Sequence, residues 1–206
     1  MKPKVTLSVI LPILITDKHC EMVTRRAVEN LRYFTTEVGI QLIVFDNKSL
    51  GNDGLQNDIC KKGDIYIVNK EWVAPTICLN RGVELATGDY ILIFSNDIFV
   101  HQDWFKYAKE AIDTNKYDFF IPFMHLNLDY IKRIVKSNKT IWNPTIKEGG
   151  GWVSYSFSDG AGCVVFKKTT YDKVGPFNED LVMYWDREYK YRLELCNLSV
   201  GSHLKS

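Results

Sequence analysis

Three acidic residues, Asp46, Asp97 and Asp186, have settings that could support chemistry. Asp97 closes the run Tyr90-Ile-Leu-Ile-Phe-Ser-Asn-Asp97, which continues as Ile98-Phe-Val100. A continuous Ile/Leu/Phe run reads as a strand buried on both faces. Polar residues at the carboxyl end of such a strand sit where open α/β sheets take ligands. A carboxylate there is a hard oxygen donor suited to Mg²⁺ or Mn²⁺; a strand end leading into an Asx turn uses the same residue types. Asp46 ends a second apolar run, Ile40-Gln-Leu-Ile-Val-Phe45, and leads into Asn47-Lys48-Ser49. One carboxylate on a metal and another on a base suit a nucleotide diphosphate, whose charge must be neutralised as it leaves. Asp186 follows Tyr184-Trp185 at the head of a helical pattern. Aromatic surface beside a carboxylate disfavours its charged form and suits a general base; the helix dipole accounts for an acidic residue there equally well.

Other chemistries are excluded by motif. No GxGxxG follows the first strand, no GxxxxGK[ST] occurs, and Ser154, Ser156 and Ser158 do not form a GxSxG elbow. His203 stands alone near the end. Trp142, Trp152 and Trp185 could stack on sugar rings or belong to a core. Residue types and spacing narrow the field here without selecting one reaction.

The elements that must position these residues follow from pattern. Val5–Leu14 reads as strand one, with Thr16 or Asp17 capping a helix whose apolar residues run from Met22 to Phe34. Gly39 is expected to end that helix. Ile40–Phe45 and Asp64–Val68 read as strands, with a turn and short helix between them. Pro75–Thr87 reads as a helix with Gly88 after its C-cap, and Tyr90–Val100 as strand four. Gln102 or Asp103 could cap a helix through Ile112. This β-α alternation predicts a mostly parallel sheet with right-handed crossovers, Asp46 and Asp97 lying on one rim. Further on, Tyr117–Phe123 and Ala161–Lys167 read as strands. Leu126–Ser137, Thr169–Val174 and Leu181–Leu195 read as helices. The glycine- and serine-rich Lys147–Gly160 is a candidate lid.

At 206 residues and 46% hydrophobic content, one domain with a substantial core is expected. A net charge of +1 gives no electrostatic case for nucleic acid. The five cysteines form no CxxC pair, which suits a reducing, cytoplasmic setting. The apolar run Leu7–Ile15, interrupted by Pro12, is too short to span a bilayer. No transmembrane segment is expected.

Taken together, four stretches resemble the family 2 glycosyltransferases of GT-A fold. Leu7-Ser-Val-Ile-Leu-Pro-Ile13 is similar to that family's first strand. Leu42-Ile-Val-Phe-Asp-Asn-Lys-Ser49 is similar to its second strand and D-N-x-S. Asn80-Arg-Gly-Val-Glu-Leu-Ala-Thr-Gly-Asp-Tyr-Ile-Leu-Ile-Phe-Ser-Asn-Asp-Ile98 resembles its N-x-G…A-x-G-x-Y-I…N-x-D stretch. Gly162–Glu179 and Tyr184–Leu193 resemble its G-x-x-x-x-x-R…V-G-G-F-D-E…E-D-x-D-L…R-L segment. The resemblance implies an α/β, Rossmann-like mixed, mostly parallel sheet flanked by helices. It also implies one domain over 1–206, with 1–100 the nucleotide-binding half and 101–206 the acceptor-side half.

The implied activity is metal-dependent, inverting transfer from a nucleotide-diphosphate sugar, UDP favoured, to a glycan or other hydroxyl acceptor. Pro12, Asp46, Asn47, Ser49, Asn80, Arg81 and Asn96 would bind the donor, Asp46 taking the base. Asp97 and His203 would hold Mn²⁺ or Mg²⁺, and Asp186 would be the base. Departures are Ser95 at the first acid of D-x-D, Trp185 at the first acid of E-D, and Glu71 where glycine is usual. A sugar-phosphate nucleotidyltransferase, or a non-catalytic sugar- or nucleotide-sugar-binding module, is the alternative. The former normally has a glycine-rich loop after strand one, which Pro12–Thr16 lacks.

Overall fold

A computed structural model describes residues 5–36, 38–50, 54–100, 102–122, 124–125, 152–154 and 162–203. Strand β1 (Val5–Ile13) is flanked by β2 (Gly39–Asp46) and β4 (Tyr90–Phe94), both parallel to it, and β3 (Ile65–Val68) extends the sheet beyond β2. On the other side β9 (Cys163–Lys167) runs antiparallel between β4 and β6 (Phe119–Ile121). β10 (Val200–His203) lies parallel to β6, and β8 (Trp152–Ser154) closes the edge antiparallel to β10. The eight-strand order β3-β2-β1-β4-β9-β6-β10-β8 runs unbroken through both halves of the chain. β5 (Phe99–Val100) and β7 (Met124–His125) form a separate small pair.

Strand β1 is apolar on both sides because both sides are covered. Leu7, Val9, Leu11 and Ile13 join a cluster with helices α1 (Lys18–Tyr33), α2 (Leu55–Ile59) and α4 (Trp104–Asp113). Ile10 faces a second cluster with α3 (Pro75–Leu85), α5 (Lys168–Val174) and α6 (Trp185–Leu195). Gly82 lets α3 approach β1, since a Cβ there would lie 2.5 Å from Ile10 Cγ2.

Several expectations are corrected. The run Tyr90–Val100 is not one strand: it breaks at Ser95, whose N–H donates to Gly162 O at 2.8 Å, and Ile98 N then closes a turn on Ser95 O. Phe99–Val100 leaves the main sheet. Gly39 begins β2 instead of ending α1, which is capped by Phe34. Gly88 is not the left-handed residue after α3: Ala86 caps that helix in an extended conformation. Gly88 is there for close approach, since a Cβ would meet Ser8 N at 2.7 Å. Residues 181–184 precede α6, and the end of the chain contributes β10, which its short polar sequence did not announce. Trp152–Ser154 of the expected lid form β8; the rest of Lys147–Gly160, the Leu126–Ser137 helix and Trp142 lie outside the described residues.

Candidate active site

The strand directions fix which ends meet. β2, β1 and β4 are parallel, so Asp46 and the Ser95–Asp97 turn leave one rim. β9 reverses, and β6 and β10 reverse back, so His203 ends β10 on that same rim. α6, whose first turn carries Asp186, leads into β10, which starts at the opposite rim. Thr76 Oγ1, in the first turn of α3, donates to Leu181 O at 3.1 Å and ties the segment before α6 to that turn.

The donor-side residues hold one another. Asp46 is 1% exposed. Its Oδ1 accepts from Ser49 N at 2.8 Å and its Oδ2 from Tyr66 OH at 2.8 Å. Asn47 grips the next loop: Nδ2 donates to Val73 O at 2.8 Å, and Oδ1 accepts from Val73 N at 2.9 Å. Asn69 N donates to Asp46 O, and Ser49 Oγ accepts from Ile15 N at 2.8 Å. Lys48, at φ 68°, pairs with Glu71 at 2.8 Å across these loops. Pro12 is half-buried beside Phe45, beyond the last β1–β4 pair, where its missing N–H costs no ladder bond.

Asn80 serves the joint between α3 and the segment before α6. Its amide donates to Phe177 O and Glu179 Oε1 at 2.9 Å, and its Oδ1 accepts from Phe177 N at 2.8 Å and Tyr171 OH at 3.0 Å. Two donors and two lone pairs are all an amide side chain has. All of them are engaged within the chain, at the joint of α3 with residues 171, 177 and 179. Arg81 is exposed, its guanidinium 5.6 Å from the Phe45 ring centre.

The other side of the rim presents its groups outward. Asp97 is exposed, while its neighbour Asn96 turns inward and donates to Thr24 Oγ1 of α1 at 2.9 Å. Asn30 Oδ1 then takes Val100 N at 2.7 Å, and Thr35 Oγ1 takes Trp104 Nε1 at 2.8 Å. Three side chains from α1 and its end thus hold the segment carrying Asp97. Asp186 is half-buried in the first turn of α6. Trp185 is partly buried and packs edge-on against Phe177 at 5.3 Å, alongside the second core cluster.

Among the described residues no group of three or more His, Cys, Asp or Glu side chains is gathered for a metal. One exposed carboxylate sharing a cation with substrate phosphates is the usual arrangement for Mg²⁺, and Asp97 fits that pattern. Sequence reasoning missed Tyr66, Thr24 and Asn69, which hold the site's loops. Only Asn69 carried a signal, as a polar residue just beyond the end of β3.

The family model for glycosyl transferase family 2 matches residues 8–173, most of the chain. The protein belongs to glycosyltransferase family 2, and its fold is GT-A. A comparison with curated proteins finds no match. Among solved structures, S. aureus TarS 1-349 in complex with UDP is 17% identical with a TM-score of 0.66, covering 98% of this chain and 58% of that one. TarS 1-349 in complex with UDP-GlcNAc is 17% identical with a TM-score of 0.66, covering 98% and 56%. A longer TarS structure is 16% identical with a TM-score of 0.63, covering 96% and 35%. The chain thus spans between about a third and three-fifths of the length of these structures.

Proposed function

We propose that this chain is the catalytic domain of an inverting glycosyltransferase, using a nucleotide-diphosphate sugar, UDP favoured, in glycan or polysaccharide synthesis. The observation that supports the reading is the rim itself: the turn carrying Asp97 and the end of β10 reach it beside the Asp46 loops, and the segment before Asp186 is tied to the first turn of α3. Asp46 and the loops it ties form the seat of the base, with Pro12, Asn47 and Ser49 shaping it. Arg81 faces the donor, and Asn80 and Asn96 hold the walls in place. Asp97 and His203 would hold a divalent cation, Mn²⁺ or Mg²⁺. When bound, the cation neutralises charge on the diphosphate.

Asp186 accepts the proton of the acceptor hydroxyl as that oxygen bonds to the anomeric carbon. The bond to the diphosphate breaks, and its electron pair stays on the phosphate oxygen. Attack opposite the leaving group inverts the anomeric configuration.

Calorimetry with UDP and UDP-GlcNAc, with and without Mn²⁺, tests the reading. Metal-enhanced binding that Asp97→Asn removes, together with measurable transfer, is the expected result. Binding indifferent to metal and no turnover would leave a non-catalytic sugar-binding module instead.

A further inference from the structure

The segment leading into α6 contains an aromatic residue in a setting that helix formation does not explain. Tyr184 is the N-cap of α6, at φ 61° and ψ 16°, with no capping hydrogen bond from its side chain. N-caps favour Ser, Thr, Asp or Asn in extended conformation, and a bulky residue in left-handed backbone is a strained outlier. The strain points the ring outward: Tyr184 is 61% exposed, while the next residue, Trp185, packs inward on Phe177. Val182 and Met183 before it are exposed too. The guanidinium of Arg187, one turn on, stacks 5.1 Å from the Tyr184 ring centre, so the ring is held while one face is covered. Asp186 lies between these two residues in the same first turn.

We propose that Tyr184 is a platform for the acceptor, its ring meeting the apolar C–H face of a pyranose unit. This inference rests on the glycosyltransferase reading above and adds the residue that seats a sugar acceptor. A pyranose presents C–H groups on one face and hydroxyls around its edge. Tyr184 supplies the matching apolar face, and Arg187 supplies N–H donors at its border. A sugar seated there is held at the N-terminal end of α6, the turn that also carries Asp186, the group that must receive the proton. An anionic lipid surface is the competing occupant, since it would engage Val182, Met183 and the Arg187 guanidinium together, and the glycoside titration below decides between the two.

Methyl β-D-glucopyranoside and methyl N-acetyl-β-D-glucosaminide, which carry no aromatic group of their own, are suitable probes. Their binding is followed by NMR titration of the full chain, with and without saturating UDP. Tyr184→Gly removes the ring and also relieves the left-handed backbone, so folding is not at risk. At least one glycoside should bind, Tyr184→Gly should weaken it about tenfold, and Tyr184→Phe should stay within about twofold. UDP affinity should be unchanged in both variants. Glycosides that bind neither with UDP nor without it, or bind Tyr184→Gly as well as the parent, would overturn the platform. Failure of UDP itself to bind would defeat the donor assignment, while the glycoside titration without UDP still decides the role of Tyr184.

Discussion

Asp46 ends β2 and Asp97 lies on the turn after β4, on one rim with β1 between them, and the fold uses them in opposite ways. Asp46 is buried, with a backbone N–H on one carboxylate oxygen and a tyrosine hydroxyl on the other. Asn47 and Asn80, on the same side, spend their amides on Val73 and on the 177–179 segment. Asp97 instead stands exposed on a turn whose neighbour, Asn96, is turned inward as an anchor. The contrast separates polar residues that build the walls from those that face a substrate. A buried polar group must find partners within the chain, so full satisfaction marks a scaffold, and exposure on a pinned loop marks presentation.

That division is open to test. The largest effect is expected at Asp186. Asp186→Asn should lower transfer about 10²–10⁴-fold, measured as sugar transfer at saturating donor, while UDP affinity is kept. Normal transfer in that variant would remove Asp186 as the base. Asn80→Ala comes next, because it strips Phe177 N and Tyr171 OH of their acceptor. A loss of about 2–4 kcal/mol and a fall in Tm of roughly 5–10 °C are expected by thermal denaturation. UDP affinity in the cold should barely change; a large change there with Tm intact would turn Asn80 from a wall into a contact.

Asp97→Asn should erase the metal-dependent part of UDP binding, roughly tenfold in affinity, and leave Tm alone. The smallest effect belongs to the far rim, as a control. Burial raises the Asp113 carboxyl, but bonds from Lys109, Tyr90 and Lys167 outweigh it and bring it down to about 2 from 3.8. A carboxyl lowered by folding contributes stability above its unfolded value and loses it as pH falls through its folded one. Asp113→Asn should therefore cost less than about 1 kcal/mol at pH 7. The difference in Tm from the parent should shrink between pH 5 and about pH 2, with UDP affinity unaffected.

Much of this was legible in the residues alone. The unbroken apolar runs of β1, β2 and β4 announced strands buried on both faces, and the alternation with helices announced parallel order. The polar ends of those strands named Asp46 and Asp97 as rim residues, because chain direction alone decides that. The amphipathic pattern from Met22 to Phe34 and the capping Asp17 placed α1, for hydrophobic spacing and capping are local properties.

What stayed hidden depends on partners distant in the chain. That Asn80 is saturated by residues 171, 177 and 179 while Asp97 is left to solvent follows from packing across some ninety residues. No local pattern separates a satisfied amide from an available one. Residues 200–203 became a strand because β6 supplied a parallel partner edge for pairing. The split of the Tyr90–Val100 run came from Gly162 pressing on Ser95 and Ile98, where a Cβ would lie 2.6 Å from Ile98 Cδ1. Residue types set which groups could act, and tertiary contacts decided which of them remain in reach of a substrate, since burial and hydrogen-bond satisfaction exist only once distant segments meet.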